Sequence, residues 1–144
     1  MNWLITGGCG FIGRALIADL LADGGNNIRV LDNLSVGTRD DLSTVAEFSE
    51  LQPDASAANW AQGVTLVEGD ILDAELMREA VRGAHVVVHL AANTGVAPSV
   101  EDPEADCRTN VLGTLYSLEA ARLAGVQRFV FASSGAPLGV QIPP

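Results

Sequence analysis

Apolar residues fall along this chain in short runs separated by glycine- and aspartate-rich breaks, and the period changes from run to run. Asn2 to Thr6 is an apolar run of strand length. From Phe11 to Ala22, apolar residues at 11, 12, 15, 16, 17, 20 and 21 follow the helical period, and Asp23-Gly-Gly-Asn-Asn stops it. Ile28 to Leu31 predicts a second, buried strand ended by Asp32-Asn33. Val64 to Val67 predicts a third, before Glu68-Gly-Asp. Ala74 to Val81 reads as a short helix closed by Gly83, and His85 to Ala91 as a fourth strand with three consecutive valines. Glu104 to Ala124 predicts a long helix with Gly125 after it, and Gln127 to Ala132 a fifth strand. Residues 38 to 62 carry no clear period and are expected to hold an irregular loop and a short helix around Asp41 to Leu51.

Strands that are apolar on both faces and alternate with helices imply a parallel sheet covered on both sides. Right-handed crossovers then favour an α/β class: a doubly wound Rossmann-type sheet, strand order 3-2-1-4-5, with helices on both faces. The 144 residues suit one domain, and at 48% hydrophobic they supply ample core.

The first break is the candidate for chemistry. In TGGCGFIG, Gly8, Gly10 and Gly13 match G-x-G-x-x-G, while Gly7, Gly10 and Gly13 match G-x-x-G-x-x-G. Either reading puts a tight strand-to-helix turn under a pyrophosphate, with the amides and dipole of the helix start aimed at it. Such a motif alone is weak. Here it lies between a predicted strand and a predicted helix, and Asp32 ends the next strand 19 residues after Gly13. A carboxylate there accepts from an adenosine ribose 2′-hydroxyl and repels a 2′-phosphate, which favours NAD over NADP. Arg39 follows closely enough to blur that preference, though a solvated loop charge is its plainer reading.

Charge narrows the partners. The net charge is −10, which argues against nucleic acid or an anionic membrane surface. Phosphates must then be held by local dipoles. No apolar run is long enough to span a membrane. No basic leader or cleavage-site pattern precedes the first strand, and two cysteines make no disulfide framework, so a reducing, cytoplasmic setting is expected. His85 and His89 lie four apart in a strand, roughly 13 Å from one another, so no metal site is expected.

Five stretches in order, TGGCGFIG, VLDNLSVG, EGDILD, HLAANTGVAPSVEDPEADCRTNVLGT and RFVFASS, resemble the extended short-chain dehydrogenase/reductase family. Within it they resemble the NAD-dependent nucleotide-sugar epimerases and dehydratases of the UDP-glucose 4-epimerase type. The resemblance covers residues 2 to 139. It implies that Phe11 and Ile12 lie beside the pyrophosphate, and that Asp32, Asn33, Ser35 and the turn to Gly37 hold the adenosine ribose. It implies that Asp70 and Ile71 flank the adenine, Asp70 bonding its amino group. Leu90, Ala91, Ala92 and Asn93 would line the path to the nicotinamide ribose, and Asn110 would brace the end of the active-site strand. Read on chemistry alone, Asp70 could equally cap a helix, Ala91 and Ala92 could be plain core, and Asn110 a routine helix polar group.

Ser133 and Ser134 end the fifth strand, at the sheet edge where such folds react. The resemblance implies that Ser134, by its spacing to Gly139, bonds the sugar oxygen being oxidised; a strand-end serine tying down its own loop is the competing reading. The family's reaction also uses a tyrosine base with a lysine four residues later. This chain has one tyrosine, Tyr116, with alanine at 120, and all eight of its basic residues are arginine. We therefore expect residues 1–144 to be the NAD-binding portion of a longer enzyme, inactive by itself and a homodimer at full length. The sugar 4,6-dehydratases carry an acidic pair where Gly135 and Ala136 stand, which favours an epimerase or a simple dehydrogenase or reductase. Pro137-Leu138 replaces the Val-Tyr usual in these epimerases, leaving the sugar open. A non-catalytic NAD-sensing or scaffold module is the alternative from a different class.

Overall fold

The computed structural model describes residues 1–51 and 59–134. In chain order the elements are β1 (Asn2–Thr6), α1 (Phe11–Ala22), β2 (Asn27–Asp32), α2 (Arg39–Ser43), β3 (Phe48–Glu50), β4 (Gly63–Glu68), α3 (Ala74–Val81) and β5 (Val86–His89). Then come α4 (Val96–Glu101), α5 (Pro103–Cys107), a π-helical segment over Arg108–Gly113, α6 (Thr114–Leu123) and β6 (Arg128–Phe131). All strand pairs are parallel, in the order β3-β4-β2-β1-β5-β6.

The five expected strands thus keep the order 3-2-1-4-5, and one strand is added at the edge. That strand, β3, corrects the expectation of a helix from Asp41 to Leu51. The helix is real but short. Thr38 and Asp41 form a reciprocal capping box that starts α2, and it ends at Ser43 before Thr44 and Val45. The chain then pairs Phe48 with Val64 and Glu50 with Leu66. Only three residues long and half-exposed, β3 has too little apolar alternation to be read beforehand.

Alternation of side chains across the sheet builds two cores. Leu4, Leu31, Val67 and Val87 face α3 and α6, burying Met77, Ala80, Ala120 and Ala121. Ile5, Ile28, Val30, Leu66, Val86 and Val88 face the other way, against Ile17, Leu20 and Leu42 of α1 and α2. Every central strand therefore carries apolar residues on both faces, as a parallel sheet requires.

One buried cation interrupts this pattern. Arg29, in β2, is 1% exposed, and burial pulls its pKa down to about 10. Its Nη1 donates to the Ala80 carbonyl at 2.7 Å, near the end of α3, and its Nη2 to the Asn59 carbonyl at 3.1 Å. The guanidinium lies 4.1 Å from the Trp60 ring centroid. A helix C-terminus and an aromatic face stand in for a carboxylate here.

The long helix expected over Glu104 to Ala124 is divided. Between α5 and α6 the chain widens into the π-helical segment, where Gly113 packs on Ile71 and the Asn110 side chain turns toward Asn93. The hydroxyls of Thr114 and Ser117 donate to the carbonyls of Asn110 and Gly113, both at 2.8 Å, satisfying acceptors within the wide turn. Among the described residues, no helix is long and apolar enough to cross a membrane.

Candidate functional site

β1 is flanked by β2 on one side and β5 on the other, so the direction of winding changes at its carboxyl end. Open α/β sheets bind ligands in that crevice. The glycine turn sits there. Gly7 takes φ +68°, and a Cβ on it would lie 2.7 Å from the Ala91 nitrogen. A Cβ on Gly13 would lie 2.6 Å from the Gly8 oxygen. These two glycines close the turn against the protein itself. Gly10 differs: a Cβ there would meet only the Gly7 oxygen, at 3.2 Å, so its outer side is open. Gly10 is also the N-cap of α1, and no side chain caps that helix or places a carboxylate in its first turn. Its leading amides are left for an acceptor from outside. Phe11 and Ile12, on that first turn, are 84% and 64% exposed.

Asp32 is buried and doubly engaged. Its Oδ2 accepts from the Cys9 amide and its Oδ1 from the Leu34 amide, each at 2.9 Å. The carboxylate thus ties the glycine turn to the turn after β2. Each oxygen retains a lone pair that can accept a hydroxyl. Gly37 packs directly on the Cys9 backbone, which closes the same corner. Burial, with Asp32 alongside, pushes the Cys9 thiol up to about 12, so it stays a protonated, inert filler. Replacing Asp32 by alanine leaves the buried Cys9 amide without its acceptor. We expect that to lower the unfolding free energy by about 1–3 kcal/mol. Asp32→Asn, which keeps one acceptor oxygen, is expected to lose less. Urea titration of the three proteins checks the order.

Beyond Asp32 the rim is polar. The Asn33 Nδ2 donates to Asp70 Oδ2 at 2.9 Å, and Asn33 Oδ1 accepts from both the amide and the hydroxyl of Ser35. Asp70 Oδ1 accepts from the Leu72 amide rather than capping α3; that cap is Asp73. The structure brings Asp32, Asn33, Ser35, Gly37 and Asp70 to one end of the sheet. The Ile71 side chain lies apart from this rim, 4% exposed and packed under Gly113, so only its backbone can face a ligand there.

On the other side of the crevice a hydrogen-bond chain runs from β1 to the π-helical segment, with His89 at its centre. The Ala91 amide donates to Thr6 Oγ1 at 3.2 Å, which lies 2.8 Å from His89 Nδ1. His89 Nε2 lies 3.2 Å from Thr114 Oγ1, whose hydroxyl donates to the Asn110 carbonyl. That last bond uses the only proton of Thr114, so Nε2 must carry the hydrogen and Nδ1 must accept from Thr6. His89 is neutral: burial pulls its pKa down to about 4. Asn110 continues the chain. Its Oδ1 accepts from the Asn93 amide at 2.9 Å, and its Nδ2 donates to the Asn93 carbonyl and to Asp106 Oδ1, both at 3.0 Å. Leu90, Ala91 and Asn93 are half-buried along this path, with Ala92 exposed. Sequence reasoning considered His89 only as a metal ligand and missed this role. The signal was present: a histidine in a strand of valines must find polar partners inside. His85 likewise serves the fold, its Nδ1 accepting from the Asn2 amide at 3.0 Å.

Ser133 and Ser134 follow β6 at the carboxyl edge and are exposed. Gly135, Ala136, Pro137, Leu138 and Gly139, which bore on the substrate, lie outside the described residues.

The model of the NAD dependent epimerase/dehydratase family matches residues 3–144. The chain belongs to that family. A UDP-glucose 4-epimerase of Mycolicibacterium smegmatis is 39% identical over 136 residues, which are 94% of this chain and 39% of that protein. A dTDP-glucose 4,6-dehydratase of Mycobacterium tuberculosis is 36% identical over 129 residues, 88% of this chain and 34% of the relative. Among solved structures, the UDP-glucose 4-epimerase of Brucella ovis in complex with NAD superposes with a TM-score of 0.77 at 37% identity, covering 99% of this chain and 38% of that one. This epimerase/dehydratase-family chain thus spans about two fifths of the length of the curated relatives it matches. The five-motif resemblance is borne out, and with it the Rossmann-type fold.

Proposed function

We propose that this chain is the NAD-binding portion of a nucleotide-sugar epimerase that works by transient hydride transfer to a tightly held NAD. The observation that carries the reading is the uncapped start of α1 over an open Gly10, with Asp32 beside it at the winding reversal. An anion fits there without any basic field, which a chain of net charge −10 cannot offer. The amides of Phe11, Ile12 and Gly13 hold the pyrophosphate. Asp32, with the turn through Asn33, Ser35 and Gly37, takes the adenosine ribose. Asp70 accepts from the adenine amino group, beside the Ile71 backbone. Leu90, Ala91, Ala92 and Asn93 line the nicotinamide side, where Asn110 braces the loop by its bonds to Asn93. Bound there, NAD supplies a reversible hydride acceptor. Ser133 closes the cofactor side of the sheet edge, and Ser134 donates to the sugar oxygen that is oxidised.

Both described cysteines are free, in keeping with a reducing cytoplasm. Val111, Leu112, Leu115, Leu118 and Leu123 are exposed along the π-helical segment and α6, which supports a homodimer through that face in the longer enzyme. The relatives named UDP-glucose 4-epimerase support a nucleotide sugar as substrate.

Two measurements test the reading together. Calorimetric titration of residues 1–144 with NAD is expected to show one site, and incubation with UDP-glucose is expected to show no epimerisation. Turnover by this chain, or an absence of any NAD heat, would overturn the corresponding half of the proposal.

A further inference from the structure

Arg39 stands at the first position of α2, just past the turn that follows Asp32. A cation so placed is the ordinary counter-charge for the 2′-phosphate of NADP. Here it is already engaged on two sides. Arg39 Nε donates to Glu50 Oε1 at 2.8 Å and its Nη2 to Glu50 Oε2 at 3.2 Å, while Nη2 also reaches Glu68 Oε2. The two glutamates come from different strands. Glu50 ends β3 and Glu68 ends β4. Glu68 is also the register partner of Asp32 across the β2–β4 pair. Adjacent strands lie about 4.8 Å apart, so the guanidinium is drawn to the strand edge beside Asp32 and held there.

From this geometry we infer that Arg39, Glu50 and Glu68 form a clamp that sets coenzyme preference, spending the cation on two carboxylates and so denying a 2′-phosphate its partner. The inference rests on the proposed coenzyme site. It goes beyond Asp32, whose carboxylate disfavours the phosphate by repulsion alone. Counting charges, Asp32, Glu50 and Glu68 against Arg39 leave a net −2 at this corner, so an incoming phosphate meets repulsion as well as an occupied cation. The ion pairs are exposed, at 41–57% for the side chains, and exposed pairs contribute little to stability. Their effect is on where the guanidinium points. The other arginine nearby, Arg14, is held by Asp41 at 2.9 Å.

The experiment compares NAD and NADP affinities, by calorimetry at low salt, for the unsubstituted chain, for Glu50→Gln/Glu68→Gln, and for the same double variant carrying Arg39→Ala. The double variant is expected to move the NADP-to-NAD affinity ratio toward NADP by roughly tenfold or more, because a freed cation meets a desolvating phosphate. Adding Arg39→Ala is expected to reverse that gain. Arg39→Ala in the unsubstituted background, which leaves the corner at net −3, is expected to move the ratio only slightly, and toward NAD. An unchanged ratio in the double variant overturns the inference, and so does a gain that survives Arg39→Ala. A large loss of NADP binding on Arg39→Ala alone overturns it too, since the cation would then already serve the phosphate. If the unsubstituted chain binds NAD and the ratio stays fixed, the clamp fails and the site stands; if it binds neither coenzyme, the site itself fails and the inference with it.

Discussion

Gly7→Ala is expected to abolish coenzyme binding and to lower stability by about 2–4 kcal/mol. Two costs combine. Gly7 takes φ +68°, a conformation that costs an L-residue about 1 kcal/mol or more. The new Cβ would also lie 2.7 Å from the Ala91 nitrogen and 2.9 Å from its Cα. Both atoms are backbone, so no side chain can swing aside. β1 and the loop after β5 must separate, and forcing a packed region apart costs about 1–3 kcal/mol. Gly10→Ala provides the contrast. Its Cβ meets only the Gly7 oxygen, so the fold should stay near its original stability while the methyl projects into the space proposed for a pyrophosphate. Urea titration and NAD titration of both variants separate the effects. A Gly7→Ala protein with an unaltered urea midpoint would refute the packing argument.

As the pH falls from 6.5 toward 4, the chain is expected to lose up to about 3 kcal/mol through His89. The sign follows from which state binds the proton. The folded pKa is pulled down to about 4 by burial, against 6.5 when exposed, so the unfolded chain protonates first. The contribution is complete above 6.5, declines through the window and does not deepen below 4. Protonation would also give Nδ1 a hydrogen facing Thr6, breaking the chain of bonds that ends at Asn110. His89→Gln can bond both threonines without titrating in this range. The difference between the two pH–stability curves isolates His89 from the carboxylates. Parallel curves would sink the prediction. His89→Leu leaves the Thr6 hydroxyl without its acceptor and Thr114 Oγ1 without its donor, and is expected to be less stable at every pH.

The alternating pattern was legible because each central strand buries both faces. Val86, Val87 and Val88 contribute to both cores, and no solvent-facing position breaks the run. The short edge strand β3 was illegible for the opposite reason, since Ser49 and Glu50 face solvent and leave no period. The π-helical segment was illegible because its cause is distant. Gly113 packs on Ile71, and Asn110 bonds Asn93, neither of which is a neighbour in sequence. The spacing of Asp32 from Gly13 leads to the ribose role proposed for it. The duty that the fold shows, holding the Cys9 amide, was hidden, since nothing local in the sequence relates Cys9 to Asp32.

The α/β class, the order of the five central strands, the family and the place of the glycine turn could all be read from the order of residues. These depend on local period and spacing, which the backbone reads out residue by residue. What each polar side chain does at the carboxyl edge emerged from the folded arrangement alone. Asn33 and Asp70, 37 positions apart, share a hydrogen bond there, and Arg39 is taken by Glu50 and Glu68. Such pairings arise when parallel strands bring distant segments within about 5 Å, and chain order alone does not specify which ends will meet.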